Sequence, residues 1–191
     1  MKRIITLICM AFTLQGCFFV GAAAGAAAIA MVYDHRKVEN TLQDTSIANK
    51  IVGKLSVYKE MWHDSHIGVT VFNHIVLLTG QTPKAEWRQI AGDVAKSVNG
   101  TDKVYNQLTL EGPTSSLTRT SDSWITTKIR GQMLADQDLQ SSTIKVVTEN
   151  GVVYLMGIVS KQQADIAVDI ARKVTGVQRV MKIFIYTEQK N

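Results

Sequence analysis

Few residues in this chain are spaced for chemistry. His63 and His66 stand three apart with Asp64 and Ser65 between them, a spacing that suggests a metal pair. Without a third ligand or a cysteine beside them, they read as solvated loop residues. The sequence contains no His-Glu-x-x-His zinc pattern, no Gly-x-Ser-x-Gly nucleophile elbow and no phosphate-cradling glycine loop. The expectation is therefore a protein that is not an enzyme, with no metal, no cofactor and no small-molecule substrate. The more telling side chain is Trp124. Successive residues of a helix lie 100° apart, so a helix from Asp122 to Ala135 puts Ile125, Ile129 and Met133 on one apolar stripe. Trp124, Lys128 and Leu134 then fall on the face turned away. An aromatic ring beside Lys128 and Arg130, on a face that should be solvated, suits contact with something amphipathic and anionic. The alternative is that Trp124 packs against a neighbouring module; Trp62 and Trp87, near helix or loop positions, are expected to pack in the ordinary way.

The elements that carry this helix begin behind a leader. In a chain of 191 residues with formal charge +5 and 46% hydrophobic residues, one or two small domains are expected behind a targeting segment. Residues 1–16 have a basic start and an apolar run of signal-peptide length, ending in Leu14, Gln15 and Gly16 before Cys17. This resembles a bacterial lipoprotein lipobox. The resemblance implies cleavage before Cys17 and acylation of that residue, by several chains that together hold firmly at ~0.8 kcal/mol per buried methylene. Cys9 would leave with the signal and Cys17 would carry lipid, so no thiol would remain for a disulfide or a nucleophile. Phe18 stands where inner-membrane retention resembles an aspartate, which points to the outer membrane, facing the periplasm. Loss of Lys2 and Arg3 lowers the charge from +5 to +3, and an envelope location makes nucleic acid an implausible partner.

Residues 17–43 include an uncharged alanine and glycine run from Phe18 to Tyr33. Because a spanning helix needs about 20 predominantly apolar residues, this run reads as a tether, with an uncleaved anchor as the other option.

Residues 44–111 and 121–188 repeat one another, separated by a small-polar linker at 112–120. A 189–191 tail follows. Each copy reads as helix, two strands joined by a tight turn, helix and strand. Gly80 corresponds to Gly157, and the turn Asn73-His74 to Asn150-Gly151, the latter a favoured hairpin pair. Pro83 and Ser160 fit helix starts. Each second helix carries apolar residues four apart, Ile90, Val94 and Val98 against Ile166, Ile170 and Val174. Gly100 and Gly176 suit left-handed C-terminal caps. A module of about 68 residues would bury only about 60% of its unfolded surface. Runs such as Val152 to Val159, apolar on both faces, suggest that the helix-free side of each sheet is hidden, by the other module.

Both copies resemble BON domains, the second more fully: its strand ends at Gly157, its helix has paired alanines, and Gly176-Val177 precedes Val180. The first departs, with Gly100-Thr101 before Val104. Together with the lipobox, the chain is similar to dual-BON outer-membrane lipoproteins, notably in Trp124 to Lys128, Thr148 to Gly151 and Tyr154 to Gly157. The resemblance implies an α+β fold of two tandem αββαβ modules, each a three-stranded mixed sheet against two helices, with Gly157 at the family's structural glycine. It implies binding of an anionic phospholipid membrane, notably phosphatidylglycerol, by the first helix of the second module, through Trp124, Thr127, Lys128, Arg130, Gly131 and Leu134. Support of outer-membrane integrity, enrichment at division sites and a link to the beta-barrel assembly machinery are implied as well. The competing reading is a protein-interaction scaffold or chaperone-like adaptor, with lipid only as tether. The first module's helix, from Ile47 to Leu55, has no outward aromatic, which independently favours the second module as the membrane reader.

Overall fold

The computed structural model describes residues 35–187; Cys17, the alanine-rich run and the 189–191 tail lie outside them. The first module comprises α1 (His35–Leu55), a short α2 (Lys59–Asp64), β1 (His66–Phe72), β2 (Ile75–Gln81), α3 (Ala85–Lys96) and β3 (Lys103–Asn106). The second comprises α4 (Ser116–Ala135), a 3-10 turn (Ser141–Thr143), β4 (Ile144–Glu149), β5 (Val152–Val159), α5 (Lys161–Arg172) and β6 (Arg179–Tyr186). In each module the first two strands pair antiparallel and the third lies parallel to the second. The repeat and the mixed three-stranded sheets follow the sequence expectation.

Three boundaries differ. α4 begins at Ser116, five residues inside the expected linker, because the Ser115 hydroxyl accepts from the Thr118 backbone N–H at 3.2 Å and caps the helix. α2, which carries Trp62 and His63, has no counterpart in the second module. α3 starts at Ala85, with Lys84 at the cap and Pro83 one residue earlier, whereas Ser160 does cap α5 by accepting from Gln163 N–H.

The hairpins turn as their residues require. Asn73, His74, Asn150 and Gly151 all have positive φ, the geometry that continues the right-handed twist of the strands. A carboxylate from the preceding helix holds each turn. Asp44 accepts from the Asn73 and His74 N–H groups at 2.7 and 2.9 Å, and Asp122 accepts from Asn150 and Gly151 at the same two distances. In both copies the aspartate stands three residues before the first stripe isoleucine, Ile47 or Ile125. The clasp thus ties the helix register to the hairpin tip.

Each module has its own core. Ile47, Ile51 and Leu55 of α1 pack with Val76, Leu78, Trp87, Ala91 and Ala95; Ile125, Ile129 and Met133 of α4 pack with Val153, Leu155, Ala164, Ala167 and Ala171. The alternate residues of the central strands form a third cluster. Ile75 and Leu77 of β2 meet Tyr154 and Met156 of β5 and Ile183 of β6. The helix-free faces of the two sheets therefore cover one another, which explains why β2 is buried at all seven positions. Burial raises the Tyr154 phenol above its ordinary pKa.

Polar contacts edge this junction. Lys145 of β4 donates to the Val71 carbonyl at 3.0 Å, and Gln81 of β2 donates to Glu149 at 2.7 Å. Burial lowers the Lys145 ammonium below its ordinary pKa; Asp44 opposes this and Arg130 adds to it. Residues 43–191 form one compact unit that contains all three clusters.

The matched glycines face the same obstacle at different distances, the carbonyl of the residue before their antiparallel partner. A Cβ at Gly80 would lie 2.0 Å from the His66 carbonyl oxygen, and its φ of +108° is left-handed. At Gly157 the obstacle is the Thr143 carbonyl, 2.8 Å away just before β4, and φ is not left-handed.

Candidate functional site

The outward face of α4 is built by subtraction. Its inner side is used up by Asp122, Ile125, Ile129 and Met133, all buried. Trp124 is 53% exposed and Leu134 77% exposed, so neither belongs to the core. Thr127, Lys128 and Gly131 are also exposed. The packing alternative for Trp124 requires a buried ring, and the ring is half in solvent.

Hydroxyls on this face have turned inward. Thr120, Ser123 and Thr127 donate to the carbonyls of Ser116, Arg119 and Ser123, one turn back, at 2.9 to 3.0 Å. Such back-bonding satisfies the hydroxyl within the helix.

The charge on α4 is one-sided. Its sequence holds Arg119, Lys128 and Arg130 against a single acid, Asp122. That carboxylate is 6% exposed and occupied by two backbone N–H groups. The exposed charge of the helix is therefore positive. Arg130 is exposed, and its guanidinium donates to the Val146 carbonyl of β4 at 3.1 Å. Lys128 stands closer to the tryptophan, 40° away around the helix.

Two features escaped sequence reasoning. Leu117, placed in the linker, is 80% exposed on the first turn of α4, and its signal was the seven-residue spacing to Trp124. The aspartate clasps were signalled by the equal placement of Asp44 and Asp122 before their stripes. An open groove of about 410 Å³ runs beside α4, lined among others by His66, Arg119, Ser123, Thr127 and Glu149. It carries opposed charges and has no net preference for an anion. His66 comes within 3.9 Å of Glu149 and His63 contacts Asp64 at 2.7 Å. Among the described residues no group of three potential metal ligands occurs, and no helix is long and apolar enough to cross a membrane.

Gly176, in the turn after α5, has φ of +92°, and a Cβ there would touch the Ile125 side chain at 3.0 Å. It therefore seats α4 against the turn. Gly100 does the same for Ile47 of α1, at 3.1 Å.

Fold and site together define a tandem of two αββαβ modules, joined through their sheets, with an apolar and basic helix face on the second. The chain belongs to the BON domain family, whose model matches residues 43–112 and 121–186. It is 32% identical to the outer membrane lipoprotein DolP of Haemophilus influenzae, over 98% of this chain and 97% of that protein. It is also 32% identical to a 21 kDa hemolysin of Actinobacillus pleuropneumoniae, over 81% of this chain and 80% of that one. The osmotically-inducible protein Y of Escherichia coli is 31% identical over 75% of this chain and 73% of its own length. None of these names specifies a catalysed reaction.

Proposed function

We propose that this protein is a lipid-anchored outer-membrane protein, facing the periplasm, whose second module binds anionic phospholipid through the outward face of α4. The observation that carries the reading is Trp124, half exposed on a helix whose core stripe is complete without it. Around it the hydroxyls of Thr120, Ser123 and Thr127 are internally satisfied and the exposed charge is positive. An indole suits the headgroup level of a bilayer, and each cation near an anionic surface contributes ~1 kcal/mol. The lipobox-like end at Cys17 and the name of the Haemophilus relative support the anchor and the outer membrane. The protein acts by binding, without catalysis. Its enrichment at division sites and its link to the beta-barrel assembly machinery rest on the family resemblance alone.

The test is co-sedimentation of residues 35–191, which carry the whole described core and lack both cysteines, with vesicles of phosphatidylcholine containing increasing phosphatidylglycerol. Binding should rise with the anionic fraction and weaken with salt. No binding at any composition would leave the protein-scaffold reading in its place. For the anchor, mass spectrometry of the mature protein should find an acylated Cys17 at its terminus; an intact Met1 would refute it.

A further inference from the structure

We infer that Leu117 is a second lipid-inserting side chain of α4, held in position from the first module by Gln81, so that the helix lies along the bilayer surface over its whole length. This rests on the membrane reading above and adds to it a residue, an orientation and a role for the first module. Leu117 is the most exposed large apolar side chain among the described residues. A lone exposed leucine needs no explanation, but this one is aligned. Seven residues turn a helix by 700°, so Leu117, Trp124 and Gly131 lie within about 20° of each other from step to step. Leu134, about 80° round the helix from Trp124, flanks this line at the far end. From Leu117 to Leu134 the face runs about 26 Å, at about 1.5 Å per residue. A helix meeting the membrane only at Trp124 would leave both leucines in water.

The start of α4 is not free to choose its direction. Gln81, at the end of β2 and 1% exposed, accepts from the Thr114 backbone N–H and hydroxyl at 3.1 and 3.2 Å while donating to Glu149. Arg119 donates to the Thr114 carbonyl at 2.8 Å. One buried amide of the first module thus grips the chain three residues before Leu117 and the end of β4 at once. Buried polar groups are costly unless fully partnered, and this one is partnered on both its oxygen and its nitrogen. Gln81 is a positioning residue: it touches no lipid and fixes the turn that does.

The experiment uses residues 35–191 and vesicles of phosphatidylcholine with phosphatidylglycerol. Leu117→Ala should weaken binding about tenfold, as expected for loss of a largely buried leucine side chain. An environment-sensitive fluorophore on Leu117→Cys should be quenched by nitroxide lipids labelled near the headgroup. Gln81→Met should lose most of the same factor, and Leu117→Ala added to it should cost little more. If Trp124→Ala weakens binding while Leu117→Ala does not and the fluorophore stays unquenched, the second anchor is refuted and the membrane reading stands. If none of the three matters, both fall. Wild-type affinity of folded Gln81→Met would overturn the positioning role; if that variant melts early, the same quenching measured on the Gln81→Met background below its melting point decides, with undiminished quenching overturning the role.

Discussion

α1 and α4 are the same helix twice on the inside and two different helices on the outside. Inside, Asp44, Ile47, Ile51 and Leu55 match Asp122, Ile125, Ile129 and Met133, each aspartate clasping its hairpin and each first isoleucine meeting a left-handed glycine in the turn before the last strand. Outside, the register positions of Leu117, Trp124 and Leu134 are taken in the first module by Glu39, Ser46 and Ser56. Leu42, exposed in α1, stands where α4 has Thr120. The fold therefore constrains one side of this helix and leaves the other to function. What distinguishes the modules is a face that contributes almost nothing to the core.

The largest expected effect tests whether matched positions are equivalent. Gly80→Ala should destabilise by about 4 kcal/mol, since it adds backbone strain to a collision, and Gly157→Ala by about half as much. Gly157→Val should be worse than Gly157→Ala; denaturant melts that rank Gly157 above Gly80 would show that the carbonyl collision at Gly80 is relieved cheaply. Next come the clasps. Asp122→Ala strands two backbone donors at a buried site and should cost about 3 kcal/mol. Asp44→Ala, at a half-buried site, should cost less, and equal losses by chemical denaturation would mean that burial does not set the difference.

Trp124→Ala addresses the outer face directly. Its melting curve should move by less than about 0.5 kcal/mol, as for other surface changes. Vesicle affinity should fall roughly tenfold, about 1.4 kcal/mol. A lost circular dichroism signal would return the tryptophan to the core. Ser46→Trp in that background should not restore binding, because α1 carries Glu39 and Ser56 where α4 has Leu117 and Leu134, with Leu42 as the one apolar neighbour; recovery in the sedimentation assay would show that the two end leucines are dispensable. The smallest effect belongs to Lys128→Ala, at most ~1 kcal/mol in low salt. That loss should vanish as ionic strength screens it, and a salt-independent loss would assign Lys128 a packing role.

Much of this protein is determined by short-range pattern. The repeat, the Asn150-Gly151 hairpin, the left-handed turns at Gly100 and Gly176, and the stripe that leaves Trp124 outside all follow from helix and strand periods and from which residues tolerate positive φ, although the two glycines do not cap the helices, which end earlier at Ser97 and Lys173 in right-handed conformation. The run of β5, apolar on both faces, announced that its second side was covered. Local pattern failed where a choice depended on distant partners. Gly112, Pro113, Ser115 and Ser116 read as linker, yet Ser115 starts a helix whose serines and threonines bond back to its own carbonyls. Sequence puts Arg130 near Trp124 on one helix, but where a guanidinium on a long stem points depends on the acceptors within reach, here the Val146 carbonyl at the edge of β4. That Tyr154 and Met156 meet Ile75 and Leu77, and that Gln81 grips Thr114, depends on how two sheets dock. Periodicity reports which side of an element is apolar, whereas the surface that covers it is fixed only when non-local packing brings complementary shapes and hydrogen-bonding groups together.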